Sequence, residues 1–256
     1  MRKLVIVLTV MALLCIEEEG YAQNLHFPDR WDMTFENVLP LYRQDTVTIR
    51  FIGDVMMHSK QIEAAHRKDG SYDFSDWFRH ISDRLTSADI SVANMEFALG
   101  GEPYSGYPAF SAPDAIAGQV AEDGIDIFLA ANNHIYDRGL AGAERTLEQY
   151  RKTAETFGTV YTGLASDSSE EERTWPVIMN VKGIRIAFLN FTYGTNGGRR
   201  EGWPKVCYMN DRKAIAKAIG RAREKSADIL IALPHWGNEY ELIHSQEQEE
   251  VSGWLA

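Results

Sequence analysis

The sequence predicts an α/β fold in which one rim of the sheet carries the chemistry. Four apolar, strand-like runs, Val47 to Ile52, Ile90 to Ala93, Ile127 to Ala130 and Ile229 to Leu233, each lead into a short polar cluster. The clusters are Gly53-Asp54, Asn94-Met95-Glu96, Asn132-Asn133-His134 and His235-Trp236-Gly237. The segments between them space their apolar residues as helices do. In open α/β sheets ligands bind outside the carboxyl ends of the strands, so these distant clusters are expected to meet there. Oxygen and imidazole ligands recurring at strand ends point to a metal site.

The elements follow in order. Arg2 and Lys3 precede an apolar stretch from Leu4 to Ile16, and Gly20-Tyr21-Ala22 offers a small-residue cleavage site before Gln23. This reads as a signal peptide over 1–22, with export to the periplasm, the cell surface or the medium; left uncleaved, it would act as a tether. The stretch is short against the roughly 20 apolar residues that cross a bilayer. Residues 23–45 have no clear period and read as a lead-in crossing the surface, and 46–256 as one domain.

Within the domain, Thr46 to Ile52 is β-prone and Gly53 is expected to break it. Phe74, Trp77, Phe78, Ile81 and Leu85 fall at helical spacing, with Asp73 placed to cap, and read as a core stripe. A short helix is expected over Ala115 to Ala121 after Pro113, ended by Gly124. A longer one over Gly139 to Phe157 has Leu140, Ala143, Leu147, Tyr150 and Ala154 on one face. Val177 to Val181 and Ile184 to Asn190 flank Lys182-Gly183, a hairpin signal that makes the sheet mixed. Residues 193–205, with five glycines and prolines, form a loop expected to overhang the rim; its Arg199 and Arg200 read as solvated or as contacts for an anionic substrate. Ala214 to Lys225 is helical, and Ile229 to Leu233 is the last strand.

The chain has 256 residues, 45% of them hydrophobic, and a formal net charge of -11. That balance disfavours a nucleic-acid partner, which needs clustered Lys and Arg against phosphate. With Cys15 leaving in the signal, Cys207 has no internal disulfide partner and reads as a small buried hydrophobe.

Each cluster offers candidate residues. Asp54 at a strand end is expected to be desolvated and to need a cation or several donors, with a turn cap as the alternative. His58 is a further possible ligand. Asn94 and Glu96 flank Met95 and point to one side of an extended chain, so that Glu96 can coordinate while Asn94 positions the loop. Asn132-Asn133-His134 suits a metal-bridging amide and a proton-donating imidazole. Asp137 reads as the cap of the next helix, orienting the loop. His235 follows Pro234, which suits a strand terminus. Trp236 is a wall of the site or plain packing, and Glu239 a ligand or a base.

As they stand, Gly53-Asp54, Asn94-x-Glu96, Asn132-Asn133-His134-x-x-Asp137-x-Gly139 and His235-Trp236-Gly237-x-Glu239-Tyr240 resemble the CapA capsule-synthesis family, associated with poly-γ-glutamate production and related to calcineurin-like metallophosphatases. The resemblance covers the chain from about residue 46 to its end. It implies a four-layer α/β/β/α fold with mixed sheets and a binuclear metal site, with Asp54, Glu96, Asn133 and His235 as ligands and His134 as acid. Asn94, Asn132, Asp137, Trp236 and Glu239 would support the site or bind substrate.

The family has a further strand after the His-Trp-Gly motif, ending in a Gly-x-His-Pro-His cluster, whereas this sequence ends at Ala256 in what reads as a starting helix. The expectation is a sheet without its last strand. A mixed oxygen and nitrogen ligand set suits two divalent ions of Mn, Zn or Fe. The implied activity is hydrolysis of a phosphoester or a γ-glutamyl amide in a cell-envelope polymer or its precursor, beside membrane subunits of the capsule machinery. The alternative is a non-catalytic component that binds or guides the polymer during export.

Overall fold

Alternation along one strand sets the layer order. In β2 (Ile90–Met95) every residue is buried. Ile90 and Val92 enter one apolar cluster, Ala93 and Met95 another. Successive side chains of a strand leave on opposite faces, so a strand buried throughout must be covered on both. The computed structural model describes residues 46–256, and these form one compact unit; the expected signal peptide and lead-in lie outside the described residues.

β2 pairs in parallel with β1 (Ile49–Val55) and β3 (Ile127–Leu129), and β3 with β4 (Val160–Thr162), giving a sheet of order β1-β2-β3-β4. On one face α1 (Ser59–Ala65), α2 (Ser82–Thr86), α3 (Ala115–Glu122) and α4 (Gly139–Phe157) bury Ala65, Leu85, Val120 and Leu147 against Ala93, Met95 and Phe128. On the other face Val92, Ile127 and Leu129 meet Val177, Ile186 and Phe188 of a second sheet. That sheet runs β6 (Val177–Val181), β7 (Ile184–Thr192) and β9 (Ile229–His235), antiparallel then parallel. Its far side, Leu189 and Phe191, packs on α6 (Arg212–Glu224) and α7 (Gln246–Leu255) through Ile215, Ala218 and Val251. The layers are therefore α/β/β/α, as the resemblance implies; of the two sheets only the second is mixed, the first being parallel throughout. Between them α5 (Ser168–Thr174) and a two-stranded ribbon, β5 (Leu164–Ala165) with β8 (Lys205–Val206), complete the domain. Among the described residues no helix is long and apolar enough to cross a membrane.

The helix over 139–157 and the hairpin at Lys182-Gly183 lie where the sequence places them. Cys207 is wholly buried, and burial pushes its thiol up. Four expectations need correction. Residues 74–81 form turns, and only 82–86 are helical. Asp73 does accept a backbone bond, from Ser75 N at 3.0 Å, but closes an Asx turn with it. Successive turns then bury Phe74 and Leu85 while leaving Ile81 37% exposed. Gly53 does not end β1. It sits at φ +75° where the pairing slips from Phe51↔Val92 to Asp54↔Asn94, a one-residue bulge that keeps the strand running to Val55. β9 likewise runs two residues past Leu233, to His235, so that Pro234, paired with Phe191, stands one residue from the strand terminus expected there and is tolerated because β9 pairs on one side only among the described residues. Finally, Lys205 belongs to β8 rather than to the loop before it.

One buried acid ties the ribbon, α4 and α5 together. Glu170, 1% exposed, accepts from Tyr161 OH, from Ser166 N at 2.7 Å and from Arg151 Nη2 at 2.9 Å. Burial alone would raise its carboxyl; these donors outweigh burial and hold it below the ordinary value of 4.5. Removing the carboxylate takes the acceptor from the buried Tyr161 OH and from Ser166 N, at about 1–3 kcal/mol for a buried group, so Glu170→Ala is expected to destabilise by about 2–4 kcal/mol at pH 7. A group with a depressed folded pKa stabilises fully above its unfolded value and less as pH falls through the folded one. The gap between wild type and Glu170→Gln in urea unfolding should therefore be largest near pH 7 and shrink below about pH 4.5. A gap that is equally wide at pH 3 would exclude the charge as its source.

Candidate metal centre

The strand ends of both sheets meet at one rim. Asp54 comes from the bulged end of β1, Glu96 follows β2, Asn132 to His134 follow β3, and His235 closes β9. One ligand atom each from Asp54, Glu96 and His235 all lie within 4.8 Å of one another, and no other such group of three or more His, Cys or acidic residues occurs among the described residues. Asn133 joins them: its Oδ1 is 3.0 Å from His235 Nε2.

The electrostatics of the trio suit a cation. Burial, then the facing charge of Asp54, then Glu239 and Asp137, push the Glu96 carboxyl up to about 8. Crowded acids of that kind are relieved by a positive ion. Burial also lowers the His235 pKa, against the pull of Asp54, and so favours the neutral ring that a ligand must be. Asn94 is the organiser. Its Nδ2 donates to Asp54 Oδ1 at 2.8 Å and lies 3.3 Å from His235 Nδ1, orienting both. Asn132, wholly buried, donates to Met95 O at 2.8 Å, and its Oδ1 accepts from His134 N at 3.1 Å.

His134 stands at the edge of this cluster. Its Nε2 lies 3.9 Å from Glu96 Oε1, while its Nδ1 is 2.6 Å from Asp137 Oδ2. Asp137 Oδ2 also accepts from Phe110 N at 2.7 Å, and the Phe110 ring meets the imidazole edge-on at 4.5 Å. Asp137 is thus no helix cap: it holds His134, and α4 begins without a side-chain cap.

Over this dyad the 193–205 loop does overhang the rim. Asn196 N donates to Asn133 O at 2.7 Å, its amide lies 3.1 Å from His134 Nδ1, and Tyr193 stacks on His235. Below it a groove of about 410 Å³ has Asp54, Asn94 and His235 at its polar end and Val92, Leu129 and Leu233 along its wall.

A family model described as "Bacterial capsule synthesis protein PGA_cap" matches residues 48–256. The chain belongs to that family. The capsule biosynthesis protein CapA of Bacillus anthracis is 27% identical over 235 residues, covering 87% of this chain and 54% of that protein. The PGA biosynthesis protein CapA of Bacillus subtilis (strain 168) is 23% identical over 222 residues, covering 82% and 54%. The chain spans about half the length of these curated relatives. Among solved structures, a 5'-nucleotidase of Staphylococcus aureus in complex with alpha-ketoglutarate aligns with TM-score 0.47 and 12% identity over 77% of this chain and 38% of that one. A 5'-nucleotidase precursor of Thermus thermophilus aligns with TM-score 0.45 and 13% identity over 75% and 38%.

In this PGA_cap member the remaining sequence candidates are placed as follows. Asp54 is exposed rather than desolvated, because the Gly53 bulge turns it toward the groove. His58 precedes α1 and is exposed; its ring packs edge-on against Phe110, away from the trio. Trp236 does both things considered for it, lining the groove and packing on the core beneath α6 and α7. Glu239 is exposed and outside the trio, and reaches the centre only through its charge on Glu96. Arg199 is taken up by Asp211 at 3.3 Å.

Two residues of the site carried no motif in the sequence. Asn190 of β7, 1% exposed, accepts from Ala131 N at 2.6 Å and donates to Leu233 O at 2.8 Å, pinning β3's outgoing chain to β9 just below the cluster. Asn196 is the other; its only sequence signal is the turn-forming run Asn196-Gly197-Gly198.

Proposed function

We propose that this domain is a metal-dependent hydrolase of capsule assembly, cutting a phosphoester or a γ-glutamyl amide bond in the cell-envelope polymer or its precursor. The observation that carries the reading is the convergence of Asp54, Glu96 and His235, each from a different strand end, within 4.8 Å. Asp54, Glu96, His235 and Asn133 would hold divalent ions, two of Mn, Zn or Fe in this reading. Bound there, such ions supply a Lewis acid and a water of lowered pKa.

The chain's own residues do the rest. Asp137 fixes the His134 ring, so that Nε2 faces the centre and can deliver a proton to a leaving group. Phe110 and the 193–205 loop screen that imidazole from water. The groove beside the centre gives a chain-like substrate room to lie. In this reading residues 1–22 export the protein, and it works at the envelope beside membrane subunits of the capsule machinery.

The test is metal titration of the metal-free full chain by calorimetry, followed by assays on bis(p-nitrophenyl) phosphate and γ-glutamyl-p-nitroanilide. Saturable uptake of Mn²⁺ or Zn²⁺, lost in His235→Ala, together with turnover that chelation stops, is the expected result. Absence of metal uptake by the wild type would overturn the hydrolase. Polymer binding indifferent to chelation would then favour the non-catalytic export component.

A further inference from the structure

A cavity of about 130 Å³ shares no residue with the metal centre. It is lined by Trp175, which follows α5, by Arg199 and Arg200 of the overhanging loop, and by Lys205 and Tyr208. Trp175 is only 3% exposed, yet its indole Nε1–H has no acceptor among the described residues. A buried donor left without a partner costs about 1–3 kcal/mol, and native proteins rarely carry one without cause.

The cations around it are unevenly committed. Arg199 is fixed, 3.3 Å from Asp211 and 4.8 Å from the centroid of the Tyr208 ring. Arg200 has no carboxylate within ion-pair reach among the described residues. Lys205 has none either; its Nζ lies 4.5 Å over the Trp203 ring. Three acids also line the cavity. Glu171 is held by Arg221 at 2.9 Å, and Asp211 is held by Arg199 and caps α6 through Ala214 N. Of the three, Glu201 alone has no ion-pair partner among the described residues. Two free cations and an orphan donor thus face one free acid, in a chain whose net charge is -11. Counted whole, the lining is neutral, Arg199, Arg200 and Lys205 against Glu171, Glu201 and Asp211; the charge left without a partner among the described residues is positive, against the global balance, and is available to an anion.

We propose that this cavity is an oxyanion site, taking the carboxylate or phosphate group of a ligand. Its size supports a group rather than a whole molecule, since pockets for drug-sized ligands run to about 300–1,000 Å³. The guanidinium of Arg200, with a planar array of donors, is matched to two oxygens of such a group, and Lys205 adds a point charge. The indole N–H supplies the one buried, directional bond. The site stands apart from the hydrolase reading: it uses none of the metal ligands and needs no metal.

The probes are sodium phosphate and sodium acetate, titrated at constant ionic strength into the metal-free, ¹⁵N-labelled full chain. The chain has six tryptophans, and Trp175→Phe assigns the indole resonance of Trp175. The expected result is a saturating downfield shift of that resonance, with the dissociation constant raised at least tenfold, the equivalent of about 1.4 kcal/mol, in Arg200→Gln/Lys205→Gln. Whichever anion saturates at the lower concentration identifies the group as carboxylate or phosphate. A resonance unmoved by both anions, or an unchanged constant in the double variant, overturns the proposal. The double variant alters Arg200 of the loop and Lys205 of β8, neither of them ion-paired among the described residues, so its amide spectrum should match wild type.

Discussion

Replacing Asn190 by alanine is expected to destabilise the domain by about 3–4 kcal/mol. The change strips the acceptor from the wholly buried Ala131 N and the donor from the partly buried Leu233 O, at 2.6 and 2.8 Å. Each orphaned group costs about 1–3 kcal/mol, and the void left by the amide adds to that. No rearrangement can refill it cheaply. Gly163 at φ +96° already presses on the site: a Cβ there would come within 2.2 Å of Asn190 Oδ1 and 2.7 Å of Ala131 N. For a domain of this size about 1 kcal/mol moves the melting temperature by roughly 2–4 °C, so a fall of about 6–16 °C is expected in calorimetry. The chemistry should suffer with it. Ala131 leads directly into Asn132 and Asn133, and Leu233 stands two residues before His235, so the same bonds that join the sheets also set the spacing of ligands from different sheets. A variant that melts as wild type does would show that the two sheets are held by their apolar faces alone.

What the sequence made legible, and what it did not, follows from the range of the interactions involved. The strand-end clusters were readable because a short apolar run and the polar stop that ends it are local features: Asn94 and Glu96 declare themselves at the end of the six-residue β2. The 139–157 helix and the 182–183 turn were readable for the same reason. Asn190 was not, because an asparagine inside an apolar run gains its meaning only from Ala131, 59 residues away, and Leu233, 43 away. Asp137 was misread as a cap because a carboxylate just ahead of a helix has that local preference; its partners, Phe110 N and His134, are set by the path of the 100–111 loop. The Gly53 bulge and the turns over 74–81 were missed in the same way. A glycine or an aromatic stripe fits several backbones, and pairing with β2 or packing on α3 and α4 chooses among them.

His134→Ala is expected to lower turnover by about 10²–10⁴-fold while leaving metal uptake intact. The reason lies in the division of labour at the rim. His235 makes its contacts through Asn133, Glu96 and Asn94, inside the ligand set, so His235→Ala should remove metal and activity together. His134 touches the set only at 3.9 Å and is anchored instead to Asp137. An imidazole so placed is held by the protein and not by the ions, which is what a proton donor needs and a ligand does not. Asp137→Asn should then show an intermediate loss: the amide oxygen still accepts from Nδ1–H, but a neutral acceptor holds the ring less firmly than a carboxylate does. Because the proton moves at the leaving group, the deficit in His134→Ala should shrink on substrates whose leaving group needs no proton, such as p-nitrophenolate, and be full on poor leaving groups. Paired calorimetry and kinetics on the three variants separate these roles. A metal-loaded His134→Ala protein that turns over both kinds of substrate at the wild-type rate would remove His134 from the chemistry. Intact metal with no turnover by the wild type itself would recast the rim as a metal-stiffened binding surface for polymer.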